Sequence, residues 1–153
     1  MSPLDALNAC AGTWRGTSTL QDPHAGVPAE SLSTASISAA RGGVRLDHTW
    51  SYQGKPQQGS ILFGTGDAAG ALTAQRTDTW HTANEPMACF GPKTGGPTLS
   101  VRGTYAAPPG PDWGWRIDVT PDGDRLRIVM HNVWPQEQGG EEELAAEALY
   151  QRA

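Results

Sequence analysis

The sequence predicts an all-β fold: an antiparallel up-and-down barrel of about ten strands with a short N-terminal helix. Three observations predict it. Apolar and polar residues alternate with a period of two along most of the chain after Gly12. Turn signals recur at roughly the 8–12 residue spacing of a sandwich or barrel. Gly 19 and Pro 12 among 153 residues, with 37% hydrophobic and 18% charged, suit short strands and tight turns better than a helical bundle. Closure removes exposed sheet edges, and a barrel of this strand number usually encloses a cavity. The length predicts one domain spanning residues 1–153.

The elements follow in order. Ser2 caps a helix, Pro3 suits its first position, and Asp5 stands at capping-box spacing. Leu4, Leu7 and Ala11 form its apolar stripe, and Gly12 ends it. From Thr13 to Leu20, Trp14, Gly16, Ser18 and Leu20 share one strand face. Gln21 to Ala29 reads as a loop and Ser31 to Ala39 as a small-residue strand. Val44, Leu46, His48, Trp50 and Tyr52 give the clearest alternation of the first half. Gly54-Lys55-Pro56 turns the chain into a short strand at Ser60 to Phe63, and Asp67-Ala68-Ala69-Gly70 is a turn. Strands follow at Leu72 to Trp80, Met87 to Phe90 and Thr98 to Tyr105, the last two separated by a Gly/Pro loop. After the rigid Pro108-Pro109-Gly110-Pro111 connector, Trp113, Trp115, Ile117 and Val119 alternate with polar residues. Pro121-Asp122-Gly123-Asp124 is a hairpin turn, and Leu126, Ile128, Met130, Asn132 and Trp134 face one way on the next strand. The last segment is open. Propensity calls Glu141 to Arg152 a helix, whereas Leu144, Ala146, Ala148 and Tyr150 alternate as in a strand.

Composition excludes several classes. Lys+Arg 11 against Asp+Glu 16 leaves a net charge of −5. With a pI near 5.2, nucleic acid is not an expected partner, because phosphate contacts need clustered Lys and Arg. No apolar run approaches the ~20 residues that span a bilayer, so no membrane association is expected. The start, Met1-Ser2-Pro3-Leu4-Asp5, lacks a basic n-region and an apolar h-region, which predicts a cytoplasmic protein. Cys10 and Cys89 then read as free, buried apolar residues. Neither Cys-x-x-Cys nor zinc-type Cys/His spacing occurs, so no metal is expected.

Gly12-Thr13-Trp14-Arg15-Gly16 resembles the Gly-x-Trp opening of calycins, the superfamily of lipocalins and fatty-acid-binding proteins. Tyr150-Gln151-Arg152 resembles their closing segment, which implies that Arg152 packs over Trp14 at the barrel base. A guanidinium on an indole face is a favourable closure. Three further stretches are similar to a bacterial calycin-like family of uncharacterised function. They are Gly42-Gly43-Val44-Arg45-Leu46, Asp78-Thr79-Trp80-His81, and the block from Tyr105 through Pro108-Pro109-Gly110-Pro111-Asp112-Trp113-Gly114-Trp115 to Arg116. The resemblance covers nearly the whole chain and implies a strand for the last segment. It brings no activity with it. That family is in turn distantly similar to nitrobindins, ten-stranded barrels that hold haem on a histidine near the C-terminal end. Here the last histidine is His131, and Glu141 to Arg152 contains none. No cofactor is therefore expected, and haem stands as a third reading.

Two constellations bear on function. Trp50, Trp80, Trp115 and Met130 would supply apolar walls of a cavity, with His48, Asp78 and Asn132 as polar contacts. This predicts binding of a small apolar or amphipathic molecule. The bland alternative makes His48 a hydrogen-bonded interior residue and Met130 core filling. The Trp113 to Val119 strand can face either way. If Arg116 looks inward it could grip a carboxylate or phosphate; two indoles exposed to water would be unusual, which favours the tryptophans inside. The second constellation is Asp78 with His81, a carboxylate that could orient a general base at the barrel mouth of a hydrolase or isomerase. Against it, Asp78 could simply satisfy backbone donors at the strand end. No Gly-x-Ser-x-Gly elbow or phosphate loop is present. Glu141-Glu142-Glu143 reads as a solvated acidic turn. A homodimer is compatible with the sequence, but nothing in it specifies one.

Overall fold

Ser2 and Asp5 cap one another at the start of the chain. The Ser2 hydroxyl accepts from the Asp5 amide at 3.1 Å, and the Asp5 carboxylate accepts from the Ser2 amide at 3.0 Å. This starts helix α1, Pro3–Asn8, in the computed structural model, which describes residues 2–22, 25–66, 71–91 and 97–153. The helix is shorter than its expected stripe. It ends before Ala11, which is exposed, while Leu7 is buried and Leu4 partly so. The Asp67 to Gly70 turn and the Gly/Pro loop before Thr98 lie largely outside the described residues.

Ten strands follow: β1 Gly12–Gln21, β2 Pro28–Ala40, β3 Gly43–Tyr52, β4 Lys55–Thr65, β5 Leu72–Asp78, β6 Met87–Gly91, β7 Leu99–Tyr105, β8 Trp113–Asp122, β9 Arg125–Val133 and β10 Glu142–Arg152. Each pairs antiparallel with its sequence neighbour, and β1 pairs with β10 to close the barrel. The all-β, up-and-down barrel read from the sequence is the observed fold. No helix among the described residues is long and apolar enough to cross a membrane.

Among the departures from expectation, two strand boundaries and one register have clear physical reasons. Gln53 and Gly54 both have positive φ, 51° and 76°, so they alone make the β3–β4 turn. Pairing resumes at Tyr52 with Lys55, and β4 begins five residues before Ser60. β5 stops at Asp78 instead of Trp80, because the Asp78 carbonyl accepts from the Asn84 amide at 2.7 Å and the chain turns away. In β10 the register with β9 shifts between Leu144 and Ala146. The extra residue flips the faces on one side of the bulge. Ala145 is 8% exposed and faces the core, whereas Leu144 is 41% exposed and leaves the face expected for it.

The strand outcome for β10 overrides its helix propensity. Ala148 and Tyr150 bury against the interior, and the segment pairs with β9 on one side and β1 on the other. Tyr150 and Ser33 flank Gly16 in one row across β10, β1 and β2. The Tyr150 hydroxyl lies 2.7 Å from Ser33 Oγ, which itself donates to the Thr49 carbonyl at 2.6 Å. A Cβ on Gly16 would sit 1.7 Å from the Leu149 carbonyl oxygen, so the row closes only around glycine. The acidic Glu141–Glu143 run is more than a solvated turn: Glu142 accepts from both Arg102 and Arg116, and Glu143 from the Trp134 indole at 2.9 Å.

The barrel has a closed base and an open mouth. At the base, α1 lies against β2 and β3. Trp14, 1% exposed, donates its indole N–H to the Cys10 carbonyl at 3.0 Å. The Arg152 guanidinium sits 4.6 Å from the Trp14 ring centre, the arrangement expected for these two residues. Above them Leu46, Ile61, Phe63, Leu99, Val101 and Ile117 fill the lower barrel. Each such buried side chain contributes about 1.5–3 kcal/mol relative to exposure. Cys10 and Cys89 are free and buried.

Candidate functional site

The interior above this apolar floor becomes polar. Alternation on β5 turns Leu72, Ala74, Arg76 and Asp78 inward, so the strand delivers first apolar and then charged groups to the barrel axis. Alternation on β3 does the same with Val44, Leu46, His48 and Trp50. On β8 it turns Trp115 inward, 3% exposed, and sends Arg116 outward. Arg116 pairs there with Glu142 and with Asp118 at 3.2 Å, so it grips no ligand inside the barrel. Trp113 packs at the rim on Trp134, with ring centres 4.9 Å apart.

The inward residues above the apolar floor wall an inner chamber of about 40 Å³. Trp50, Trp80, Trp115, Met130, His48 and Asp78 all line it, as the sequence reading expects. Asn132 does not. It lines an outer cleft of about 630 Å³ at the mouth, where its side-chain carbonyl accepts from the Tyr105 hydroxyl at 2.6 Å. The two spaces share four wall residues, Leu20, Trp80, His81 and Trp115.

The centre of the chamber is Arg76, which the sequence reading missed. Its side chain is 2% exposed. Its Nη2 donates to Asp78, its Nη1 lies 3.2 Å from His81 Nδ1, and its guanidinium carbon sits 5.0 Å from the Trp115 ring centre. The signal was present: Arg76 shares its strand face with Leu72 and Ala74, and an arginine on an apolar inward face needs a buried partner. That partner, Asp78, also accepts from the Trp80 amide at 3.2 Å and the Thr82 amide at 2.8 Å. The carboxylate thus serves two jobs, neutralising Arg76 and holding the turn after β5. The turn brings Trp80 and His81 together to the mouth, which a continued strand would have sent to opposite faces.

The Asp78–His81 dyad is corrected on this point. His81 is oriented by Arg76, and Asp78 is occupied by Arg76 and the turn amides. A guanidinium only donates, so Nδ1 of His81 accepts and the ring carries its proton on Nε2. Burial, with the nearby Arg76 charge, pushes His81 down to about 4. The ring stacks on Trp115 with centres 4.0 Å apart and meets Tyr105 edge-on at 4.5 Å. It is a neutral, clamped imidazole, poorly matched to a base working near neutral pH.

His48 is likewise pushed down to about 4, chiefly by burial. It stacks on Trp50 with ring centres 5.0 Å apart. Room for it comes from Gly59 on β4, where a Cβ would meet His48 Nε2 at 2.6 Å. Several polar atoms of the wall residues find no hydrogen-bond partner among the described residues: His48 Nε2, Trp50 Nε1, Arg76 Nε and Trp115 Nε1.

Haem does not fit these residues. His131 is on the outside of the barrel, its Nδ1 3.2 Å from Arg116 Nη2. His48 faces only the chamber of about 40 Å³, far below the roughly 300–1,000 Å³ of cofactor-sized sites. His81 also borders the outer cleft, but with Nδ1 accepting from Arg76 its Nε2 carries the ring proton and has no lone pair for iron. Among the described residues no cluster of three or more His, Cys, Asp or Glu could hold a metal ion. No protein-family model and no curated protein matches the chain.

Proposed function

We propose that this calycin-like barrel is a binding module for a small amphipathic molecule, which lies in the outer cleft and reaches into the inner chamber. One observation carries the reading: an aromatic-walled chamber shares Leu20, Trp80, His81 and Trp115 with a larger cleft at the open end of the barrel. Small-molecule sites have this composition, mostly apolar and aromatic with a few fixed polar groups. His81 supports binding over catalysis. Its lone pair is held by Arg76 and its pKa is pushed to about 4, so it serves as a hydrogen-bond donor at the neck.

A titration with N-phenyl-1-naphthylamine, a neutral apolar dye that fluoresces on entering a dry site, tests the reading. The expected result is saturable fluorescence that Trp80→Ala and Trp115→Ala weaken by about tenfold or more, the equivalent of about 1.4 kcal/mol or above. Native mass spectrometry of freshly purified protein should accompany it, because a retained ligand appears as extra mass lost on denaturation. No saturable dye binding by the wild-type chain would overturn the proposal.

A further inference from the structure

The chamber's unmet hydrogen bonds name the kind of molecule that fits it. Resting on the binding reading above, we infer that the ligand presents an uncharged hydrogen-bond acceptor, a carbonyl-type oxygen, to the inner chamber, with its apolar body in the outer cleft. Three wall residues carry N–H groups without an acceptor: Trp50 Nε1, Trp115 Nε1 and Arg76 Nε. All three residues are nine-tenths or more buried, at 9%, 3% and 2% exposure. A buried donor left without an acceptor is costly, so an acceptor that reaches these groups is strongly favoured. Groups that only donate, such as an ammonium, gain nothing from these three; the fourth unpartnered atom of the wall, His48 Nε2, donates or accepts according to its tautomer, so donors outnumber acceptors either way.

Charge decides between a neutral acceptor and an anion. The Arg76 cation is already matched by Asp78, so the chamber has no spare positive charge. Burial keeps His48 and His81 neutral. Glu147, which also borders the chamber, pairs with Arg127. A carboxylate entering this wall would be an uncompensated buried charge, which costs several kcal/mol even after relaxation. A carbonyl satisfies the same donors without that cost. Size agrees: about 40 Å³ holds about three water-sized groups, enough for a carbonyl and one attached methyl. A larger body must stay in the cleft, against Trp80 and Tyr105.

The test uses the ¹⁵N-labelled full chain and three probes sharing one ring: acetophenone, benzoate and toluene. The indole N–H signals of Trp50 and Trp115 are assigned through bonds and followed during titration. Acetophenone is expected to move both signals downfield in a saturable manner. It should bind about tenfold tighter than toluene or benzoate, the worth of about one net hydrogen bond. Trp115→Phe keeps an aromatic wall and removes one donor, so it should erase most of the preference for acetophenone while leaving toluene binding in place. Equal binding of toluene and acetophenone overturns the inference, as does a preference for benzoate. Water alone satisfying the donors would show as indole signals that no probe moves. With N-phenyl-1-naphthylamine still binding, that result overturns this inference only; with the dye also failing, the binding reading falls as well.

Discussion

Arg76 Nη1 lies 3.2 Å from His81 Nδ1 at the neck between chamber and cleft. A cation thereby clamps a neutral imidazole, and the same cation is itself held by Asp78. Cation, carboxylate and imidazole form a single unit whose members sit within five residues on β5 and its following turn. Its behaviour leads to the first two predictions.

Stability should fall in mild acid. His48 and His81 titrate near 4 in the folded barrel against 6.5 ordinarily. Between these values the unfolded chain binds more protons, so acid favours unfolding. Stability is full above about pH 6.5 and is lost as pH drops toward 4, by on the order of 2 kcal/mol per ring. Urea melts at pH 7 and pH 4.5 measure this, and His48→Gln with His81→Gln should flatten the difference.

Breaking the buried pair should cost more than removing it. Asp78→Asn leaves the Arg76 charge uncompensated and is expected to destabilise the barrel by about 3–5 kcal/mol. Arg76→Met combined with Asp78→Asn should cost clearly less than the two single changes summed. Chemical denaturation of the four proteins in this cycle gives the coupling, and simple additivity would refute it.

Gly59→Ala should act through His48. A Cβ at position 59 would meet His48 Nε2 at 2.6 Å, so the ring must leave its stack on Trp50. Overpacking of this kind costs about 1–3 kcal/mol. The same substitution in a His48→Ala background should cost much less, and thermal melts of both pairs check it.

At the base, Arg152→Ala should lower stability by about 0.5–1 kcal/mol through loss of the contact with Trp14. Arg152→Lys should recover only part, because the planar guanidinium covers the indole face better than an ammonium. Differential scanning calorimetry, with near-ultraviolet circular dichroism following Trp14, distinguishes the three proteins.

Period-two patterning by itself determined most of the strands, the all-β class, and part of the chamber wall. Trp50, Trp115, Met130 and His48 stand on strand faces whose apolar neighbours mark them as inward, and side-chain direction in a strand follows directly from position. The Trp14 and Arg152 pairing was legible only through the resemblance of residues 12–16 and 150–152 to the two ends of known barrels. Tertiary structure alone decided the rest. A bulge between Leu144 and Ala146 inverted one face of β10, and bulges leave no mark in composition. Asp78 and His81 read as a dyad, with Arg76 unnoticed, until the turn at Asp78 placed the imidazole against the guanidinium. Which of several nearby charged groups pair is set by distances across a closed barrel and by the cost of burying a charge without a partner. Neither quantity exists until the strands have closed.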